Sequence, residues 1–501
     1  MRDGGVDTVA ATGSVLDLFL EMLESFRAAG IDYCYWRSSL RLETAVGGLS
    51  DLDLLVARAD RERAIRLLLD HNFKLLYSLS AHDEPMLMDL IGHDAPSGRI
   101  VHVHLHFRLM LGSSLLKLWQ PSWQSAVLAN AVWHSSLPVR VLDAPTEAVL
   151  LLVRGCLEFN PFDVVALRQW RAMAAKFAAD RAALAPRLDR NEICRRATEL
   201  LGAALAESVA DIACRGDPPS SALRRRLLAE LAPYRRAGRL QGSLRLFVRS
   251  LLFLGRSLNK RFIHAPRPWS RRILGGGSVV AVVGVDGSGK STLVRALCDW
   301  AGSEMDVLPL YFGTGEGRPG LLLLPLKLLL PLAQRLLPRK PKGASHGTVS
   351  SKPPGLFYNA LLTVWASVLA VEKWQKLKAA GRAADQGMLV ITDRFPQNQL
   401  PQFNDGVLLP RLNRVPRWLR KFEANAYALA DRLPPDLVIK LQADPALISR
   451  REPDMLPDVV RRRTEELMRL NFPASRLEVL DASQPLPTVI ADAKRAVWTV
   501  L

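Results

Sequence analysis

The chain has 501 residues, too many for one ordinary hydrophobic core, so two or three folded units are expected. Apolar residues make up 49% of it and no low-complexity tract occurs, which excludes disorder as a description of the whole. A formal net charge of +18 suits anionic partners, and five scattered cysteines without C-x-x-C spacing exclude a disulfide framework and a cysteine-zinc cluster.

The amino-terminal stretch MRDGGVDTVAATGSVLDLFLEML has no basic segment followed by an unbroken apolar run, so a secretory signal is not expected and a cytoplasmic location is. Residues 1–145 mix strand-like runs (IDYCYWR, LDLLVA, RIVHVHLHF) with helical stretches, the texture of an α+β domain. Within it, alternation puts Asp51 and Asp53 on one strand face, where both carboxylates can meet one metal pair. The later run Ile100–Phe107 offers His102, His104 and His106 on one face. Two readings stand for it: a transition-metal site, since neutral imidazole suits Zn²⁺ or Mn²⁺, or a polar strand face beside a cleft.

Residues 146–263 carry helical periodicity, broken by turn chemistry at Arg215–Ser220. No acidic residue occurs between Leu231 and Val285, while eleven Arg and Lys side chains accumulate there. Leu240, Leu244, Phe247, Leu251 and Leu258 recur at helical spacing in this basic stretch. That amphipathic helix either packs on its own domains or lies on an anionic membrane or a partner. Residues 264–277, rich in Pro and Gly, read as a linker.

From residue 278 to 501 strands alternate with helices, the pattern of an α/β parallel sheet with helices on both faces. The β-branched run Ser278–Gly284 feeds Gly284-Val-Asp-Gly-Ser-Gly-Lys290-Ser291-Thr292, which is G-x-x-x-x-G-K-[ST] between a strand and a helix. Gly284, Asp286, Gly287, Ser288, Gly289, Lys290, Ser291 and Thr292 are therefore expected to hold ATP. Loop N–H groups would face the phosphates, Lys290 would bridge β and γ, and Ser291 would hold Mg²⁺. The apolar segment 321–337 is interrupted by Pro325, Lys327, Pro331 and Arg335 and is too short to span a bilayer. It reads either as a flap over an acceptor site or as a membrane-docking segment helped by Arg339–Lys342.

The loop wording and the later Met388-Leu-Val-Ile-Thr-Asp393-Arg394-Phe395 resemble the two signature motifs of thymidylate kinases. Pro435–Pro445, an arginine-rich helix and Val479–Ser483 look like that family's last two strands and the stretches after them, so the resemblance covers about 278–501. It implies an ATP- and Mg²⁺-dependent kinase acting on dTMP or a related nucleoside monophosphate, commonly as a homodimer. It also implies that Asp286 contacts the acceptor sugar, that Asp393 lies near the metal, and that Arg394 grips the acceptor phosphate. Arg450, Arg451, Arg461, Arg462 and Arg463 fall where the family has its lid, and Ser483 and Gln484 where it borders adenine. The sequence departs from the family at Phe312–Gly320 and at Asn404-Asp405-Gly406, departures that bear on whether the acceptor is dTMP or a relative. This wording resembles thymidylate-kinase-like proteins of bacterial exopolysaccharide gene clusters. That similarity implies, as an alternative, an ATP-binding regulatory or scaffold protein on a polysaccharide-assembly complex.

Tyr33-Cys-Tyr-Trp-Arg37-Ser38-Ser39 followed by Gly47–Val56 resembles polymerase-β-type nucleotidyltransferases, in which two acids one residue apart hold metal. Asp51 and Asp53 match them, and a bifunctional protein is the corresponding reading. The family's Gly-Ser pair stands here as Ser38-Ser39, and its third acid is not evident. No nucleic-acid recognition module is visible, so the expected partner is a nucleotide or a phosphorylated small molecule.

Overall fold

A computed structural model describes residues 15–78, 86–160, 162–259, 271–313, 356–400, 406–411, 415–453 and 455–501. The apolar segment 321–337, residues 314–320, Asn404, Asp405 and the first half of the expected linker lie outside the described residues. The chain divides into two compact units, Met1–His264 and Ala265–Leu501. Among the described residues no helix is long and apolar enough to cross a membrane.

The first unit is built on seven strands: β1 (Tyr33–Tyr35), β2 (Leu52–Val56), β3 (Lys74–Ser78), β4 (Leu87–Asp94), β5 (Arg99–His106), β6 (Val132–Trp133) and β7 (Arg140–Val141). They lie in the order β6-β7-β1-β2-β5-β4-β3, with β2 parallel to β5 and β4 antiparallel to it. The β4–β5 hairpin turns where Gly98 takes φ +67° and Asp94 accepts the Ser97 N–H. Helix Asp17–Ala28 buries Phe19, Met22, Leu23 and Phe26, an i, i+3, i+4, i+7 stripe, on strand residues such as Leu54, Val103 and Leu105.

A second core joins Cys34, Trp36 and Leu55 of the strands to the helices that come after them, through Val149, Val153, Val209 and Leu227. Helix Ala144–Leu157 is buried on nearly every side, which its run EAVLLLV dictates. The basic helix Arg239–Leu258 buries only Gly242, Leu246 and Ser250.

The second unit contains β8 (Arg271–Ile273), β9 (Ser278–Gly284), β10 (Val307–Tyr311), β11 (Leu389–Asp393), β12 (Leu437–Gln442) and β13 (Arg476–Asp481). Five of them form an all-parallel sheet in the order β10-β11-β9-β12-β13. The central strands read as unbroken apolar runs because parallel sheets are covered on both faces, and Val280–Val282, Leu389–Ile391 and Leu437–Ile439 are all buried. Helix Leu356–Asp385 sets Ala380 and Ala383 against Val279, Leu308 and Val390. Helices Lys290–Gly302 and Leu486–Trp498 meet through Trp300 and Trp498, ring centroids 6.4 Å apart.

Candidate functional site

Parallel strands expose the loops at their carboxyl ends together, and ligands of open α/β sheets sit there. β11 pairs with β9 so that Asp393 stands opposite Val282, two residues before the glycine loop starts. Gly287 (φ +80°) and Gly289 (φ +93°) take the left-handed conformation that lets the loop curl, and Gly289 caps helix Lys290–Gly302. A Cβ at Gly284 would come 2.5 Å from Ser288 Oγ and 3.2 Å from the Leu441 carbonyl oxygen, so a larger residue there would have to displace the Ser288 hydroxyl.

Inside this loop Asp286 gathers three cations. Arg394 donates to its carboxylate, Arg463 Nη1 lies 3.3 Å from Oδ2, and Lys290 Nζ lies 3.7 Å from Oδ1. Burial pushes the Asp286 carboxyl up, but Arg394, Lys290 and Arg463 outweigh it and hold it at about 2. Lys290 is buried and also donates to the Val285 carbonyl at 2.8 Å. Arg394 reaches the cluster from a left-handed backbone, φ +69°, a conformation costly for a non-glycine residue. Its N–H bonded to the Val282 carbonyl (2.9 Å) and its carbonyl bonded to Thr392 Oγ1 (2.9 Å) hold it there.

Beside the cluster, Ser291 Oγ donates to Asp393 Oδ2 at 2.6 Å. Asp393 is buried, and its Oδ1 has no hydrogen-bond partner among the described residues. A hydroxyl and a carboxylate with an unused buried oxygen fit Mg²⁺, which takes oxygen ligands and few of them from protein.

The five arginines expected in a lid separate. Arg463 is buried against Asp286, and Arg451 donates to the Gly287 carbonyl at 3.2 Å. Arg461 and Arg462 instead face Asp458 (3.9 Å) and Glu466 (3.8 Å) on their own helix, Pro457–Arg469, and Arg450 is exposed. Thr292 lies exposed in the first turn of its helix, and Ser288 is buried within the loop. Ser483 accepts from the Asp444 N–H at 3.0 Å, and Gln484 is exposed after β13. The sequence offered no means of choosing Arg463, since its place on the inner face of the helix depends on how that helix packs.

The first unit holds a separate polar cluster. Register sets Asp53 of β2 opposite His104 of β5, and His104 opposite Asp89 of β4. His104 Nδ1 lies 3.2 Å from Asp53 Oδ1 and 3.9 Å from Asp51 Oδ2, and its Nε2 lies 3.4 Å from Asp89 Oδ1. His102 Nδ1 meets Asp51 at 3.2 Å, and His106 Nε2 meets Asp53 at 3.1 Å. Arg37 grips Asp53 through both carboxylate oxygens, at 2.9 and 3.3 Å, and touches Glu158 at 3.5 Å. Burial alone would lower the His104 imidazole, but Asp53, Asp89 and Asp51 raise it to about 9. For His106 burial wins, and it falls to about 4. Asp89 was missed from sequence, although a lone acid inside the apolar run Leu87–Ile91 was a usable signal.

These residues do not fit a pair of Mg²⁺ ions. Both Asp53 oxygens are taken by a guanidinium, and the strand next to the acids offers imidazole, which Mg²⁺ disfavours.

A glycine loop at the carboxyl end of the central strand of an all-parallel sheet, opening a helix, defines the second unit as α/β with a P-loop. No family model matches the chain. It is 30% identical over 227 residues to the Uncharacterized ATP-binding protein YghS of Escherichia coli K12, a match covering 44% of this chain and 93% of that protein. It is 26% identical over 230 residues to the Uncharacterized ATP-binding protein YghR of the same strain, covering 44% of this chain and 87% of that relative. The chain belongs to the YghS family.

Proposed function

We propose that the second unit binds ATP and Mg²⁺ and transfers the γ-phosphoryl group to a phosphate acceptor of nucleoside-monophosphate type. The observation that carries this reading is the convergence of Lys290, Arg394 and Arg463 on one carboxylate beside the glycine loop and the Ser291–Asp393 pair. The ATP-binding names of the relatives support the donor half of it.

Phosphoryl transfer asks little of covalent chemistry and much of positioning and positive charge. The bond between the γ-phosphorus and its bridging oxygen breaks, a bond from the acceptor phosphate oxygen forms, and ADP leaves. Lys290 grips the β- and γ-phosphates, while Arg394 and Arg463, already held together, fix the acceptor phosphate and the transferring group. Ser291 and Asp393 would hold Mg²⁺, which would supply charge neutralisation when bound. Arg451, bonded to the Gly287 carbonyl, adds positive charge beside the loop.

The test is ADP production by the full chain with ATP and Mg²⁺, across nucleoside monophosphates and sugar phosphates. Acceptor-dependent turnover that Lys290→Ala abolishes supports the kinase. ATP binding with no turnover on any acceptor refutes it in favour of a regulatory protein.

A further inference from the structure

We propose that Asp51, His102 and His104 of the first unit form a binding site for a divalent transition-metal ion of the zinc class. A four-coordinate zinc ion with ligands at about 2.0–2.1 Å spaces its donors about 3.3–3.4 Å apart. The donor atoms of these residues all lie within 4.8 Å of one another. His102 Nδ1 stands 3.2 Å from Asp51 Oδ1, and His104 Nδ1 stands 3.9 Å from Asp51 Oδ2, so these two ligand edges need only small adjustments. The neighbouring triad of Asp53, His104 and His106 has similar spacing, but the Arg37 guanidinium already neutralises Asp53 there.

The support behind the ligands is independent of their spacing. Metal-binding histidines almost always give their second ring nitrogen to a carboxylate, a backbone carbonyl or water, which fixes the tautomer and aims the other nitrogen at the ion. Buried Asp89 lies 3.4 Å from His104 Nε2, which leaves Nδ1 between Asp53 Oδ1 at 3.2 Å and Asp51 Oδ2 at 3.9 Å. Strand register makes the arrangement rigid, since Asp53, His104 and Asp89 lie in one row across three paired strands. The Asp51 side chain is 46% exposed, so the remaining coordination position opens to solvent, as in sites that bind a water or a ligand and unlike closed structural zinc. Two imidazoles and one carboxylate favour Zn²⁺ or Mn²⁺ over Mg²⁺.

The experiment is calorimetric titration of the metal-stripped full chain with Zn²⁺, with Co²⁺ as spectroscopic probe. One equivalent per chain is expected, with the intense visible bands of low-coordinate Co²⁺ and no displacement by excess Mg²⁺. His102→Ala and His104→Ala lose the site, and Asp89→Asn weakens Zn²⁺ by about 10–100-fold. His134→Ala, outside the cluster, binds like the wild type. Asp51→Asn, a half-exposed change, repeats the test should a buried variant fail to fold. Less than one equivalent in the folded wild type, retention in Asp51→Asn, or displacement by Mg²⁺ overturns the proposal.

A different observation carries a second inference: helix Arg239–Leu258 is a docking face for an anionic lipid bilayer. Leu240, Leu244, Phe247, Val248, Leu251, Leu254 and Leu258 form one exposed stripe, with Leu240 89% exposed. The helix has four arginines and no acid, and helical spacing sets Arg245, Arg249 and Arg256 along one border of the stripe, where Arg245 is exposed, Arg256 is half-buried and half-buried Arg249 also donates to the Leu115 carbonyl at 2.6 Å. An apolar face with a basic margin is how interfacial helices meet acidic headgroups. A second copy of this helix would bring like charges together, which disfavours self-pairing. Phosphatidylcholine vesicles containing phosphatidylglycerol should co-sediment the full chain, and salt should weaken this. Leu244→Glu with Leu251→Glu should reduce binding by about 100-fold. No vesicle binding, unchanged binding by that variant, or a dimer that the variant converts to monomer overturns it.

Discussion

Replacing Asp286 by Asn keeps the shape of the loop and removes the charge on which three cations converge. The carboxyl sits at about 2 in the folded chain against 3.8 ordinarily, a gap equivalent to about 2 kcal/mol of net favourable interaction. The side chain is 32% exposed, and solvent screening reduces this to about 1–2 kcal/mol. Asp286→Asn should therefore lower the thermal midpoint of the second unit by about 2–8 °C at pH 7. A depressed carboxyl stabilises above its unfolded value of 3.8 and loses that contribution as pH falls through about 2. About half of the gap between variant and wild type should be gone by pH 3. Calorimetric unfolding from pH 3 to pH 7 reads both quantities. Pyrophosphate should raise the midpoint of the variant more than that of the wild type, because it supplies the anion the freed cations lack. Equal midpoints at pH 7, or a gap that persists undiminished at pH 3, would refute the three-cation account.

Arg463→Ala should reduce acceptor-dependent ADP formation by about 100-fold or more, whereas Arg462→Ala, one residue away and turned to Glu466, should stay within about a factor of two. Steady-state kinetics of the pair separates an inward arginine from a solvated one. Lys290→Ala should lower turnover by about 100-fold or more and weaken ATP binding in a fluorescent-nucleotide titration.

The phosphate loop was legible in sequence because its chemistry is local. Glycines at fixed offsets set the backbone, and a lysine and a serine come next at the start of the helix, so neighbours in sequence are neighbours in space. The parallel sheet was legible for a similar reason, since strands covered on both faces must be apolar throughout. Asp393 and Arg394 could be paired with the loop only by resemblance. Their proximity depends on β11 lying beside β9, a choice of strand order that no local residue encodes.

Arg463 and Asp89 mark what tertiary structure alone decided. Arg463 shares its sequence texture with Arg461 and Arg462, and only the packing of helix Pro457–Arg469 turns one of the three toward Asp286. The histidine alternation along β5 showed three imidazoles on one face and left their purpose open. Pairing of β5 with β2 on one side and β4 on the other supplied the carboxylates and placed Arg37 over Asp53. Periodicity along a chain fixes which face a side chain takes, but contacts between strands far apart in sequence depend on register, and register is settled by the whole core at once.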